Sequence, residues 1–146
     1  MTTIRRATTA DAQVLSTLNA DVQAIHAAAL PWRFKPPGPE SLPAAEASAL
    51  IANPNHLVFI ADVENEPAGY AYAELISRPE TSLHHAYKTV YLHHLSVRPQ
   101  YRRRGVGTEL MDAVRAAGRE LGITLLALDV WTFNEGARAF FRRHGF

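Results

Sequence analysis

The densest chemistry in the chain lies in Arg98-Pro-Gln-Tyr-Arg-Arg-Arg-Gly-Val-Gly-Thr108. Arginines stand at 98, 102, 103 and 104, and Gly105 and Gly107 sit one residue apart where an apolar-periodic run begins. A helix start exposes unpaired N–H groups and a partial positive charge. Glycines let an anion come close to that backbone. The combination predicts a site for a pyrophosphate. Two common phosphate motifs fail. No lysine follows a glycine here as a P-loop requires, and the third glycine of the dinucleotide fingerprint is replaced by Leu110. What remains is R-x-x-G-x-G on Arg102, Gly105 and Gly107. Arginine runs alone are usually solvated faces, but this one sits at the mouth of a β-α-β crossover.

A second concentration is His93-His94, inside the apolar strand 88–97. Val90 and Leu92 are two apart, as are Leu95 and Val97, but the step from Leu92 to Leu95 is three. A one-residue slip would turn every later side chain to the wrong face. An extra residue absorbed as a β-bulge restores the register, and bulges are common beside active sites; the alternative is that the two histidines sit at a frayed edge. His93 and His94, as neighbours on a strand, are expected on opposite faces. In the strand Ala68–Ser77, alternation puts Tyr70, Tyr72 and Glu74 on one face, either a plain solvent face or part of a site. The pairs His84-His85 and His93-His94 do not predict a metal site, since adjacent strand residues diverge and no carboxylate stands at ligand spacing.

The elements that hold these residues follow from periodicity. Thr3–Ala7 reads as a strand. Thr8 and Asp11 form the acidic variant of a capping box, before a stripe through Val14, Leu15, Leu18, Val22, Ile25 and Ala29. Pro31 stops that helix. Prolines 31, 36, 37, 39 and 43 make a stiff loop that carries Trp32, Phe34 and Lys35. A second helix spans about 41–52. His56–Asp62 and Ala68–Ser77 form a hairpin around Glu64-Asn65-Glu66-Pro67. After the strand 88–97 comes a helix from Gly105 to Leu121, stopped by Gly122. Ile123–Val130 is a nearly unbroken apolar run, the pattern of a strand covered on both faces. Asn134–His144 is a last helix with Ala137, Phe140 and Phe141 inward. The order β-α-α-β-β-β-α-β-α predicts an α/β fold. Its sheet is mixed, with helices on both faces and strands 88–97 and 123–130 parallel.

The chain of 146 residues is the size of one domain. Fifteen basic against fourteen acidic residues give a net charge of +1, which argues against a broad nucleic-acid surface. The absence of cysteine excludes disulfides, thiolate metal sites and a catalytic thiol. No apolar run approaches the ~18 residues of a membrane span, and no signal peptide opens the chain. A cytoplasmic protein is expected.

Two stretches resemble the GNAT superfamily of acyl-CoA-dependent N-acyltransferases. Leu95-Ser-Val-Arg-Pro-Gln-Tyr-Arg-Arg-Arg-Gly-Val-Gly107 is similar to that family's coenzyme A signature. Asn134-Glu-Gly-Ala-Arg-Ala-Phe-Phe-Arg-Arg-His-Gly-Phe146 is similar to its second motif. The resemblance implies acetyl-CoA in the gap between splayed parallel strands. The backbone of Leu95, Ser96 and Val97 would hold the pantetheine arm. N–H groups of Arg102, Arg103, Arg104, Gly105, Val106, Gly107 and Thr108 would hold the pyrophosphate, and Asn134 would touch the arm. It implies acetyl transfer to a primary amine by direct attack. His93, Glu74 and His94 are the candidate bases, because a histidine titrates near neutral pH and an ammonium must lose a proton to attack. Some family members carry a histidine at the position of His93. Phe34, Tyr72 and Glu74 are expected at the acceptor pocket. The acceptor is a small-molecule or protein amine. A homodimer through sheet edges fits the resemblance.

Two departures stand out. The family's tyrosine acid is replaced by Phe141, which keeps open the alternative of a non-catalytic acyl-CoA sensor. The family usually adds a strand after Gly145-Phe146, so a chain lacking that strand is expected.

Overall fold

The computed structural model describes residues 1–38 and 41–146. Pro39, one of the prolines of the stiff loop, lies outside them. The strands are β1 (Thr2–Arg6), β2 (His56–Val63), β3 (Glu66–Arg78), β4 (Tyr87–Val97) and β5 (Leu126–Leu128). The helices are α1 (Ala12–Ala29), α2 (Ala44–Ala52), α3 (Val106–Glu120) and α4 (Glu135–Arg143). They occur in the expected order. The sheet runs β1-β2-β3-β4-β5, antiparallel through β4 and parallel between β4 and β5.

Local signals set most boundaries. The Thr8–Asp11 capping box forms, with the Thr8 N–H donating to Asp11 Oδ2 at 2.8 Å. Arg5 ties this corner to the sheet, reaching Asp11 at 2.8 Å and Asp62 at 2.7 Å. The hairpin β2–β3 turns on Glu64 and Asn65, both at positive φ (50° and 68°), the backbone of a tight two-residue hairpin turn. Gly122 ends α3 at φ 74°, and the Ile123 N–H returns to the Gly118 carbonyl at 2.8 Å, a left-handed helix stop.

The two sheet faces build two cores. Leu15 and Leu18 of α1 and Ala47 of α2 pack on Val58, Ile60 and Tyr70. Val106, Leu110, Met111 and Val114 of α3 pack on the opposite face, against Leu57, Ala61, Ala71, Val90 and Leu92. Strand period two explains the division of β2 and β3 between these cores. Leu95 and Val97 join the α3 core alongside Val90 and Leu92, so the step of three is absorbed. The register shows how: Tyr72 lies opposite His94 and Ala73 opposite Leu92, which leaves His93 as the extra residue of a bulge.

One element departs from expectation. β5 is three residues long rather than the run 123–130, and it forms the sheet edge. Its strand-like residues are half-buried, and Leu125 is 52% exposed. Its apolar run is therefore not covered on both faces. Pairing with β4 stops at Leu92–Leu128, and β4 continues alone along that edge to Val97.

Candidate active site

Where β4 and β5 part, a cleft of about 410 Å³ opens between β4, α3 and α4. β4 contributes Leu95, Ser96 and Val97. The α3 entry contributes Arg102, Arg103 and Gly105 to Thr108, and Asn134 stands on the far wall. Thus ten of the eleven expected coenzyme positions line one cavity. Arg104 does not; its guanidinium lies over the Tyr101 ring at 5.7 Å.

The α3 start suits an anion. Gly105 caps it at φ 79°, a left-handed conformation that glycine adopts without strain. The first helical hydrogen bond is Glu109 N–H to the Gly105 carbonyl at 3.0 Å. The N–H groups of Val106, Gly107 and Thr108 precede it and have no intrahelical partner. Gly107 has a different reason to be glycine. A Cβ there would stand 3.1 Å from Phe140 Cε2, so its bareness lets α4 pack against the first turn of α3. Arg102 folds back, its Nε–H donating to the Val97 carbonyl at 3.1 Å. Asn134 caps α4, with Oδ1 accepting from the Ala137 N–H at 3.1 Å. Val22 and Ile25 of α1 also line the cleft. Their helical stripe is visible in sequence, but its packing beside β4 is not.

The histidine and carboxylate candidates gather on the α1 side of β4. The His93 Nε2–H donates to Glu74 Oε1 at 2.7 Å, which leaves Nδ1 with its lone pair. His93 stacks on Tyr72 with ring centroids 4.8 Å apart, and His94 meets the same Tyr72 ring edge-on at 5.4 Å. The two histidines therefore share a face, contrary to strict alternation. The bulge sets two residues against one, and both rings turn toward Tyr72. Nor is the face of Tyr70, Tyr72 and Glu74 plain solvent surface, because Tyr70 is 1% exposed beneath α1.

Three polar chains run through this face. The Asn19 Nδ2–H donates to the Tyr70 hydroxyl at 3.0 Å, and that hydroxyl meets His94 Nδ1 at 3.0 Å. The His56 Nδ1–H donates to the Leu50 carbonyl at 2.8 Å, so its Nε2 accepts from the Tyr72 hydroxyl at 3.3 Å. Tyr91, tilted against His93 at 4.8 Å, donates its hydroxyl to Asp129. Burial, followed by the proximity of His93 and His26, pushes the His94 imidazole down to about 4. Burial also raises the Tyr70 phenol well above its ordinary value. His94 is therefore neutral and Tyr70 protonated at physiological pH.

Phe34 stacks on His26 at 4.9 Å and meets Trp131 edge-on at 6.0 Å. Arg33 covers Trp131 at 5.4 Å. The proline-rich loop is thus anchored by Phe34 to the segment after β5, whereas Trp32 is 78% exposed. Phe141 lines the cleft and offers no hydroxyl. His84 and His85 lie outside the site, beside Thr81 and Glu80. Among the described residues, no group of three metal-ligating side chains is present, and no helix is long and apolar enough to cross a membrane.

A mixed sheet that parts over a glycine-capped helix start defines an α/β domain whose cleft suits an anionic ligand. The chain belongs to the acetyltransferase (GNAT) family, whose model matches residues 21–146. An uncharacterized N-acetyltransferase in the pepI 3' region of Lactobacillus delbrueckii subsp. lactis is 26% identical over 95 residues. That match covers 65% of this chain and spans about half (54%) of the relative's length. The structure of a tetramutant of the BH1408 protein from Bacillus halodurans superimposes with a TM-score of 0.92 at 26% identity. The superposition covers 99% of this chain and 92% of that one. AAC(6')-Iy in complex with the bisubstrate analogue CoA-S-monomethyl-acetylneamine shares the fold, with a TM-score of 0.79 at 20% identity, covering 100% and 90% of the two chains.

Proposed function

We propose that this chain transfers an acetyl group from acetyl-CoA to the primary amine of a small molecule. The observation that carries the reading is the convergence of two structures at the bulge. On one side is the cleft suited to an anion, which reaches Leu95. On the other is the His93–Glu74 pair, two residues before it.

The fit to acetyl-CoA rests on three features. The cleft is long enough to run from the α3 start to β4. Unpaired N–H groups at Val106, Gly107 and Thr108 suit a pyrophosphate. Among the described residues, no strand pairs with this edge of β4 beyond Leu92. Apart from the Arg102 bond to the Val97 carbonyl, the backbone at Leu95–Val97 suits the amide groups of a pantetheine arm, in the manner of an added strand. When bound, acetyl-CoA supplies the acyl group as an activated thioester.

The chain's own residues would supply proton transfer and placement. Glu74 accepts the His93 Nε2–H, fixes that tautomer and directs the free Nδ1 outward. His93 Nδ1 then takes a proton from the incoming ammonium. The resulting imidazolium is stabilised by the Glu74 carboxylate, 2.7 Å from Nε2. Tyr72 holds the ring by stacking and is itself held by His56. Phe34, anchored on His26 and Trp131, forms one wall on the acceptor side. Such a base would have no task in a sensor that only binds acyl-CoA.

The test is release of free thiol from acetyl-CoA with a panel of primary amines, including aminoglycosides and arylalkylamines. At least one amine should give turnover that His93→Ala abolishes. Tight coenzyme binding without turnover on any amine would instead support the sensor.

A further inference from the structure

Two adjacent histidines face the same tyrosine, but their hydrogen bonds oblige them to do opposite things. His93 gives its Nε2–H to Glu74 and keeps a free Nδ1 lone pair. For His94 the direction runs the other way. The Asn19 amide donates to the Tyr70 oxygen. The Tyr70 proton, retained because burial disfavours the phenolate, is then free to point at His94 Nδ1, 3.0 Å away. A neutral imidazole that accepts at Nδ1 carries its proton on Nε2. Among the described residues, nothing accepts that Nε2–H. No buried side-chain nitrogen or oxygen among them lacks a partner, so Nε2 is not sealed from solvent. The next residue, Leu95, lines the coenzyme cleft.

We propose that His94 is a fixed hydrogen-bond donor to the acyl thioester through Nε2–H, and that Asn19 and Tyr70 are the positioning residues that lock this tautomer. The proposal rests on the acetyl-transfer reading and assigns within it a role that sequence alone left among the bases. A donor held ready for developing negative charge strengthens an acyl-transfer site without moving a proton.

The surroundings keep His94 in this state. Tyr70 and Tyr72 of β3, His93 of β4 and His26 of α1 are the titratable groups around it. None is a carboxylate that would favour the imidazolium. Glu74, the nearest acid in the site, is taken by His93.

The direct test is the imidazole ¹⁵N spectrum of the ligand-free protein. His94 should show a protonated Nε2 and an unprotonated Nδ1 throughout pH 5.5 to 8 (roughly the window in which a solvent histidine changes charge). Tyr70→Phe should turn the single tautomer into a mixture. Asn19→Asp supplies a second, differently packed variant. Its carboxylate accepts the Tyr70 proton, so the Tyr70 oxygen must accept from His94, and the Nδ1–H tautomer should appear. In turnover, His94→Ala should lower kcat by about 10²-fold or more, the loss typical of one such donor. KM for acetyl-CoA should change little, and His94→Gln, which keeps an N–H, should recover part of the rate. A protonated Nδ1 in the unmodified protein, an unchanged tautomer in both relay variants, or a full rate in His94→Ala would overturn the proposal. A protein that shows the locked tautomer but acetylates no amine would instead refute the acetyl-transfer reading.

Discussion

Gly69→Ala tests whether the fold holds the coenzyme strand where the site needs it. Gly69 lies on β3 opposite Val97. A Cβ there would stand 2.5 Å from the Ser96 carbonyl oxygen and 3.2 Å from Val97 Cα. Side-chain Cβ atoms essentially never come within 3.0 Å of another heavy atom, so something must move by at least about 0.5 Å. The obstacle is the β4 backbone at Ser96 and Val97, and no side chain can swing aside. Overpacking of this kind costs roughly 1–3 kcal/mol, and at about 3 °C per kcal/mol for a domain of this length the melting temperature should fall by roughly 3–9 °C. The yielding strand is Ser96–Val97, which lines the cleft. Acetyl-CoA affinity should therefore weaken as well, by calorimetric titration at a temperature where the variant is folded. Gly107→Ala is the control for a soft obstacle. Its Cβ meets only the Phe140 ring, at 3.1 and 3.3 Å, and that ring can tilt, so its thermal loss should be smaller. A Gly69→Ala protein that melts within about 1 °C of the parent with unchanged affinity would refute the close approach.

Other expectations concern single contacts. Asn134→Ala removes the α4 cap and should cost about 1 kcal/mol in urea unfolding; Asn134→Ser should recover most of it. Asp11→Asn should also destabilise by about 1 kcal/mol at neutral pH. Burial alone would raise the Asp11 carboxyl, but its bonds from Arg5 and Thr8 outweigh that and hold it below its ordinary value. Its contribution is therefore complete above the ordinary carboxylate range and lost as pH falls through the depressed value. The two proteins should converge in acid. His94 works on a different window. Unfolding lets it take a proton below its ordinary 6.5, whereas the folded protein refuses that proton until about 4. Stability should decline as pH falls from 6.5 to 4, and His94→Gln should remove that part of the slope. Finally, His93→Ala should lower kcat/KM by roughly 10²–10⁴-fold, with Glu74→Gln intermediate because it leaves the base but loosens its tautomer.

The sequence announces some of this architecture through spacing alone. The step of three between Leu92 and Leu95 locates the bulge, and the register places it on His93. Arg102, Gly105 and Gly107 mark the helix start that opens the cleft. Other features escape because they depend on contacts that periodicity does not encode. Alternation predicts opposite faces for His93 and His94, but the bulge suspends alternation at that point. The run 123–130 looks like an interior strand, yet a short apolar run carries no sign of whether a second neighbour exists. The Asn19–Tyr70 bond joins positions 51 apart. Helix periodicity carries no sign that Asn19 meets Tyr70. Arg104 belongs to the motif by sequence but stacks on Tyr101 instead of facing the cleft.

The proposed function puts acetyl-CoA between β4 and α3, with its acyl end at the two histidines. A crystal structure with acetyl-CoA bound tests it most directly. The pyrophosphate should accept hydrogen bonds from Val106, Gly107 and Thr108, and the pantetheine arm should pair with β4 at Leu95–Val97, along the edge that β5 leaves without a strand partner. The acyl carbon should lie beside His93 and His94. Coenzyme bound on another surface, or in the cleft with its acyl end turned away from β4, would contradict the account.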